Sequence, residues 1–251
     1  MNICLFEKSQ IDLPLSFDDE RGAHILNVLH KKQGDDFTAG IIGGQSGVAK
    51  ITRIDETARQ IFFEFKPTGD GKPLNPLKMI IGFPRPIQLK RLLRDIAALG
   101  ISEVHLTGTE LGEKSYMQSD LAQPEAAWKL LREGTVQAGS THVPAVFVHT
   151  TLVETLKNTV VTEPVEGPQL ICLDNVNPAC ALGEINFSSA SGVIAAIGSE
   201  RGWTDKERSL LEQAGFISCG MGSRIMRTET AATVAGAIIL NSMGRLCHSR
   251  A

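Results

Sequence analysis

Positive charge is not in excess in this chain: 25 Lys+Arg stand against 28 Asp+Glu, a formal net charge of −3. That excludes a protein wrapped all over in phosphate contacts, so any nucleic-acid surface has to be local. The five cysteines (Cys4, Cys172, Cys180, Cys219, Cys247) form no CxxC pair. They read as thiols of a reducing compartment, with neither a disulfide frame nor a metal site. No uninterrupted apolar run is long enough to span a bilayer, and the N-terminus lacks a basic-then-apolar signal, so a soluble, cytoplasmic protein is expected. A GxxxxGK[ST] loop is missing, which counts against a phosphate-cradling nucleotide site. Internal repeats and low-complexity stretches are absent. Aromatic content is low at 5%, apolar content is ordinary at 42%, and 251 residues have room for one large or two small domains with real cores.

What is present concentrates between Gly192 and Ala237. Val193 to Ile197 reads as a buried strand that ends in Gly198-Ser199-Glu200-Arg201-Gly202. A helix follows, because Thr204 and Glu207 have capping-box spacing and Leu210, Leu211 and Ala214 supply an apolar face. A second strand, Phe216 to Cys219, ends in Gly220-Met221-Gly222-Ser223, and an alanine-rich helix opens near Thr228. Strand ends carrying glycine loops are where an open α/β sheet puts a ligand, since no Cβ stands between backbone and ligand. Glu200, Arg224, Arg227, Glu229 and Thr230 lie in or beside the two loops, and charged groups at strand ends are more often functional than structural.

Residues 1 to about 66 read as a small β-rich module. Its expected strands are Asn2–Phe6, Phe37–Ile42, Val48–Ile54 and Ile61–Phe65, with a short helix over Ala23–His30 that turns Ile25, Leu26 and Leu29 inward. Short strands at this spacing suggest a small barrel. Through Lys72 it has 9 Lys+Arg against 11 Asp+Glu, which is no basic patch by composition. Lys66–Pro73 reads as a linker, which gives domains over 1–72 and 73–251. From Leu77 onward strands and helices alternate, the pattern of an α/β domain with a mostly parallel sheet. The expected elements are strands at Leu77–Phe83, Glu103–Leu106 and Leu170–Leu173 and helices at Gln88–Leu99 and Pro124–Ala138. Arg85, Lys90, Arg91 and Arg94 form the densest basic cluster, either a solvated helix face or a phosphate-contact surface.

The paired loops carry a resemblance. Ile197-Gly198-Ser199-Glu200-Arg201-Gly202-Trp203, and Gly222-Ser223-Arg224-Ile225-Met226-Arg227-Thr228-Glu229-Thr230-Ala231, resemble the two motifs of the 16S ribosomal RNA uridine-N3 methyltransferase family. Gln137 and Pro144 match a further segment, and His24 to His30 resembles a segment of that family's N-terminal module. Ala98, Val136, Ser140, Arg201 and His30 depart from the family pattern.

The resemblance implies a SPOUT-type α/β fold. It comprises a parallel sheet with a C-terminal trefoil knot formed by a helix over about Thr228–Leu246, preceded by a PUA-like β-barrel that grips RNA. It implies S-adenosylmethionine (AdoMet) as methyl donor, ribosomal RNA of the small subunit as partner, and a homodimer with the small-residue run Ala231–Ala237 packed at its interface. Ile197, Gly198, Gly202, Cys219, Met221, Gly222, Ile225 and Met226 are then the cofactor-binding candidates. Arg227 and Arg224 are the candidates for favouring a deprotonated uridine, with Glu229 and Glu200 orienting them or accepting a proton. Arg85, Lys90, Arg91, Arg94 and His30 are the RNA-binding candidates. On the residues alone, other readings stay open: a protein that binds AdoMet or RNA without transferring a methyl group, a SPOUT enzyme with another RNA target, and an unrelated α/β enzyme holding a nucleotide at the same loops.

Overall fold

The computed structural model describes residues 2–160, 167–187 and 191–246, so Cys247 lies outside the described residues. The chain divides into two compact units, Met1–Pro73 with Glu133–Val143, and Leu74–Arg132 with Pro144–Ala251.

In the first unit, β1 (Cys4–Phe6), β2 (Leu15–Ser16), α1 (Glu20–Ala23), β3 (Asp36–Ile41), β4 (Ser46–Asp55) and β5 (Gln60–Gly69) follow one another. The strands form one sheet in the order β1-β3-β4-β5-β2, with β1 parallel to β3 and the other pairs antiparallel. Alternation along β4 is clean: Gly47, Ala49 and Ile51 are buried while Val48, Lys50 and Thr52 are exposed. The core gathers Phe6, Ile25, Phe37, Ala49, Ile51 and Ile61.

Two local readings are corrected here. Lys66–Gly69 is not linker but the end of β5, paired so that Gly47 faces Pro67 and Ser46 faces Gly69. Glycine is required on the β4 side, because a Cβ at Gly47 would sit 2.1 Å from the Lys66 carbonyl oxygen. The short helix begins earlier, at Glu20, capped by Asp19, and passes into a π-helical turn over His24–Val28. The wider turn rotates Leu29 off the inward face, leaving it 40% exposed.

Residues 133–143 belong with this unit through backbone and hydroxyl contacts. Thr141 Oγ1 donates to the Gly44 carbonyl (2.6 Å), and Ser140 Oγ donates to the Lys72 carbonyl (3.2 Å). Ser140, one of the departures from the family pattern, is thus a buried hydroxyl with a structural partner.

The second unit contains β6 (Asn75–Gly82), α2 (Pro86–Leu99), β7 (Ile101–Thr107), α3 (Pro124–Gln137, whose last turn counts with the first unit), β8 (Ala145–His149), α4 (Leu152–Thr159), β9 (Gln169–Leu173), β10 (Cys180–Ala181), β11 (Val193–Ile197), α5 (Asp205–Gln213), β12 (Ile217–Gly220) and α6 (Thr228–Ser242). Its seven strands are all parallel, in the order β10-β12-β9-β11-β6-β7-β8. Every residue of β11 is buried, as a central parallel strand requires. On one face Ile80, Cys172, Ile194 and Ala196 pack with Leu152, Leu156, Trp203, Leu211 and Phe216. On the other, a Cβ at Gly236 of α6 would lie 3.0 Å from Met79 Cε and 3.1 Å from Leu99 Cδ1. Ala231, Ala232, Ala235 and Gly236 of α6 are buried within the chain.

Candidate active site

The register of the sheet brings four strand ends level. Ile197 pairs with both Leu173 and Ile81, and Leu173 pairs with Cys219. The chain runs β6 to β8 away to one side, while β11 returns between β6 and β9. This reversal of strand order is the crevice in which open parallel sheets bind ligands.

Three loops leave these ends. Residues 198–203 double back tightly: the Gly202 N–H donates to the Ser199 carbonyl (2.9 Å), and Gly202 has φ +74°, a left-handed conformation glycine adopts without strain. Trp203, 2% exposed, anchors this loop by donating from its indole N–H to the Leu173 carbonyl (3.2 Å). Thr204 and Glu207 then form the expected capping box on α5. The buried Glu207 carboxylate also accepts from the Glu110 backbone N–H (2.9 Å), which fastens the loop after β7 to the same helix start. Residues 221–227 follow β12, with Gly222 at φ +94°. The hydroxyl of buried Thr228, at the start of α6, reaches the Gly198 carbonyl (3.4 Å) and ties this loop to the first.

The third loop follows β9. Asp174, its side chain 3% exposed, accepts from the backbone N–H of Asn175 (2.8 Å) and of Val176 (3.2 Å) and pairs with Arg208 Nε of α5 at 2.5 Å. The three loops enclose a cavity of about 290 Å³. Leu173, Ile197, Ile225, Met226 and Ala231 give it apolar wall, and Asp174, Glu200, Arg201 and Arg224 give it charge.

All eight cofactor-binding candidates line this cavity, together with Glu200 and Arg224. Arg227 and Glu229 do not: Arg227 is the exposed residue just before α6, and Glu229 is buried in the helix's first turn. Leu173, Asp174, Asn175, Thr228 and Ala231 line it although they were not among the candidates. The loop Asp174–Pro178 carried a signal, a strand end followed by Asp-Asn, but the pairing of Asp174 with Arg208 spans two elements and is invisible to local patterns. Arg85 caps α2 and lies 3.6 Å from Glu200 Oε1. Lys90, Arg91 and Arg94 are exposed further along α2, outside the cavity lining. His30, exposed and at φ +51°, belongs to the first unit.

A second cavity, of about 310 Å³, adjoins the first along Ser199, Glu200 and Arg201, which line both. Phe83, Arg85, Leu111 and Tyr116 are among its other walls. Arg85 Nε donates to the Tyr116 hydroxyl at 2.9 Å. Glycine at the end of β6 lets the shared loop come this close: a Cβ at Gly82 would lie 2.4 Å from the Ser199 nitrogen.

Residues 71–240 match the family described as RNA methyltransferase domain. A curated relative, ribosomal RNA small subunit methyltransferase E of Treponema pallidum, is 42% identical over 243 residues, 96% of this chain and 91% of the relative. The chain belongs to the ribosomal RNA small subunit methyltransferase E family. A second family member, from Borreliella burgdorferi, is 31% identical over 96% of this chain and 98% of its own length. Among solved structures, the methyltransferase E of Neisseria gonorrhoeae bound to S-adenosyl methionine aligns with a TM-score of 0.75 at 22% identity, covering 96% of this chain and 97% of that one. A Legionella pneumophila protein solved in complex with the same cofactor aligns with a TM-score of 0.76 at 20% identity, over 96% of this chain and 98% of that one. The α/β fold with its parallel sheet is thus the fold of methyltransferase E, and the two motifs of that family border the first cavity.

Proposed function

We propose that this chain is an AdoMet-dependent methyltransferase that modifies N3 of a uridine in 16S ribosomal RNA. The observation that carries the reading is the convergence of the loops after β9, β11 and β12 on one cavity, in a chain 42% identical to a curated small-subunit RNA methyltransferase. The lining suits AdoMet: apolar side chains for the adenine, backbone groups at the glycine turns for its edge and for the ribose, and the Glu200 carboxylate for a cation. Ile197, Gly198, Gly202, Cys219, Met221, Gly222, Ile225 and Met226 would hold it. When bound, AdoMet supplies an electrophilic methyl group on a sulfonium sulfur.

The chain's own part is to orient an unpaired uridine and to manage its imide proton. A cation beside the imide favours the deprotonated form, a role for Arg224 on the wall and for Arg227 at its border. Glu200 takes the proton, and Glu229 supports the helix start that carries Arg227. Under the same reading the first unit is a PUA-like RNA-binding module, His30 and the exposed cations of α2 contact RNA backbone, the C-terminal helix threads a trefoil knot, and the enzyme works as a homodimer in the cytoplasm. No helix of the described residues is long and apolar enough to cross a membrane.

The test gives the purified protein methyl-labelled AdoMet and small ribosomal subunits from a strain deleted for it, then identifies the labelled nucleoside. Labelled N3-methyluridine that disappears with Arg227→Ala is the expected result. Label in another nucleoside would move the target, and no label on subunits or free RNA would overturn the enzymatic reading.

A further inference from the structure

The second cavity is built for something other than the cofactor. Phe83 is 3% exposed and fixed in the core, while Tyr116, the chain's only tyrosine, is held through its hydroxyl by Arg85. Flat rings at a cavity wall are what an unstacked base packs against. Arg85 and Glu200 form a loose, solvent-facing ion pair at 3.6 Å, and their side chains keep 60% and 34% of their exposure. Only Nε of Arg85 is engaged, and its terminal nitrogens make no hydrogen bond within the described residues. A wall that presents guanidinium N–H donors beside a carboxylate acceptor complements a carbonyl next to an N–H.

From this geometry we propose that the second cavity receives the target nucleobase, and that Arg85 and Glu200 together read the imide edge of uracil; the proposal rests on the methyltransferase reading above. Arg85 donates to a ring carbonyl, and Glu200 accepts from N3–H. Cytosine is disfavoured at the same wall, because its N3 carries a lone pair that would face the carboxylate. A cavity of about 310 Å³ has room for one flipped base. Glu200 stands on the wall common to both cavities, so the proton leaves N3 at the boundary with the methyl-donor site. In that step the N3–H bond breaks, its electron pair stays on N3, and the proton forms an O–H bond on Glu200.

Three variants test this: Arg85→Met and Tyr116→Ala, at residues that line the second cavity and not the first, and Glu200→Gln. Each is assayed for methyl transfer to unmodified small subunits and, by calorimetry, for AdoMet binding. A short single-stranded RNA containing 4-thiouridine is also photo-crosslinked to the wild-type protein, and the attached peptide is mapped. The expected result is a loss in kcat/KM of about tenfold to a hundredfold for Arg85→Met, the scale of one lost base-edge contact. Glu200→Gln should lower kcat about a hundredfold or more, the scale of a lost general base. AdoMet affinity should be unchanged in Arg85→Met and Tyr116→Ala, and the crosslink should fall on the Tyr116 or Phe83 peptide. Full turnover in Arg85→Met and Tyr116→Ala, or a matching loss of their AdoMet affinity, would overturn the proposal. Should wild type label no RNA, the methyltransferase reading falls; a crosslink at Tyr116 would still assign the cavity to a base, and a crosslink elsewhere would remove both.

Discussion

Two clusters of polar residues on the parallel sheet of the second unit are treated in opposite ways. At the ends of β9, β11 and β12, polar groups face a cavity, and glycines bring backbone to its edge. At the β7–β8 edge they are turned on one another. His105 and His149 are 3% and 7% exposed, with Nδ1 of the first 3.0 Å from Nε2 of the second. Glu103 Oε2 lies 3.2 Å from His105 Nε2, so that nitrogen carries the proton and Nδ1 accepts from His149. Thr155 Oγ1 donates to Thr107 Oγ1 (2.7 Å) in the same layer. A closed polar set of this kind stabilises a sheet edge, whereas an open one at strand ends is left for a ligand.

The comparison also explains what local patterns could reveal. The open site was legible because its chemistry is contiguous: ten residues from Gly222 to Ala231 and seven from Ile197 to Trp203 contain most of the lining. The closed set was not, because His105, His149 and Thr159 meet only after β7, β8 and α4 have assembled. β8 and α4 went unread for a related reason. β8 is a five-residue edge strand whose Ala-Val-Phe-Val run does not alternate with polar residues, and α4, although Leu152, Thr155, Leu156 and Thr159 share one buried face, is only 8 residues long and half of that face is threonine. β10, two residues long, carries no pattern at all. In the first unit β2 is equally short, and the π turn after Ala23 shifts a face that a regular 3.6-residue period assigns differently. The central strand β11, by contrast, coincides with its apolar run, Val193 to Ile197.

If the open site depends on close backbone approach, Gly82→Ala should do the greatest damage. The new Cβ meets backbone, not a flexible side-chain end, so the loop at Ser199 has to move. Overpacking of this kind costs about 1–3 kcal/mol, and we expect the upper end in urea unfolding, with AdoMet affinity weakened more than tenfold by calorimetry. Unaltered affinity would separate the glycine from the site.

Next comes Arg208→Met, which strips the ion partner from an almost wholly buried Asp174. Loss of about 1–3 kcal/mol is expected, together with weaker AdoMet binding, since the Asp174 loop is a cavity wall. A stable variant with normal binding would mean that the backbone N–H groups suffice to hold the carboxylate.

The closed set should reveal itself through pH. Burial lowers the pKa of both His105 and His149 from the usual value of 6.5, so the folded chain keeps them neutral where the unfolded chain takes up protons. Stability is complete above that value and declines as pH falls below it, until the folded histidines themselves titrate. Urea midpoints at pH 7.5 and 5.5 should show the decline, and the double variant His105→Gln, His149→Gln should flatten it. An undiminished slope in that variant would assign the effect to other groups.

The smallest effect is expected at Lys206→Ala. This lysine pairs with Glu110 at 2.8 Å but is exposed, and Glu110 keeps its bond from the Thr204 hydroxyl. Exposed pairs of this sort contribute little, so Tm should not move beyond error.

Cys219 lines the first cavity, which under the proposed function holds a methyl donor. A sulfur beside an electrophilic carbon is a competing acceptor, and thiolates are far better nucleophiles than a uridine imide. Here burial in the first place, then the adjacent Cys180 sulfur at 3.8 Å, raises the Cys219 thiol well above its ordinary value. The same burial holds nearby Cys172 at about 12. At neutral pH both stay protonated and chemically quiet. Under the proposed function, the packing of the strands would itself suppress alkylation of the cavity's own thiol and keep the methyl group for an acceptor that arrives from outside.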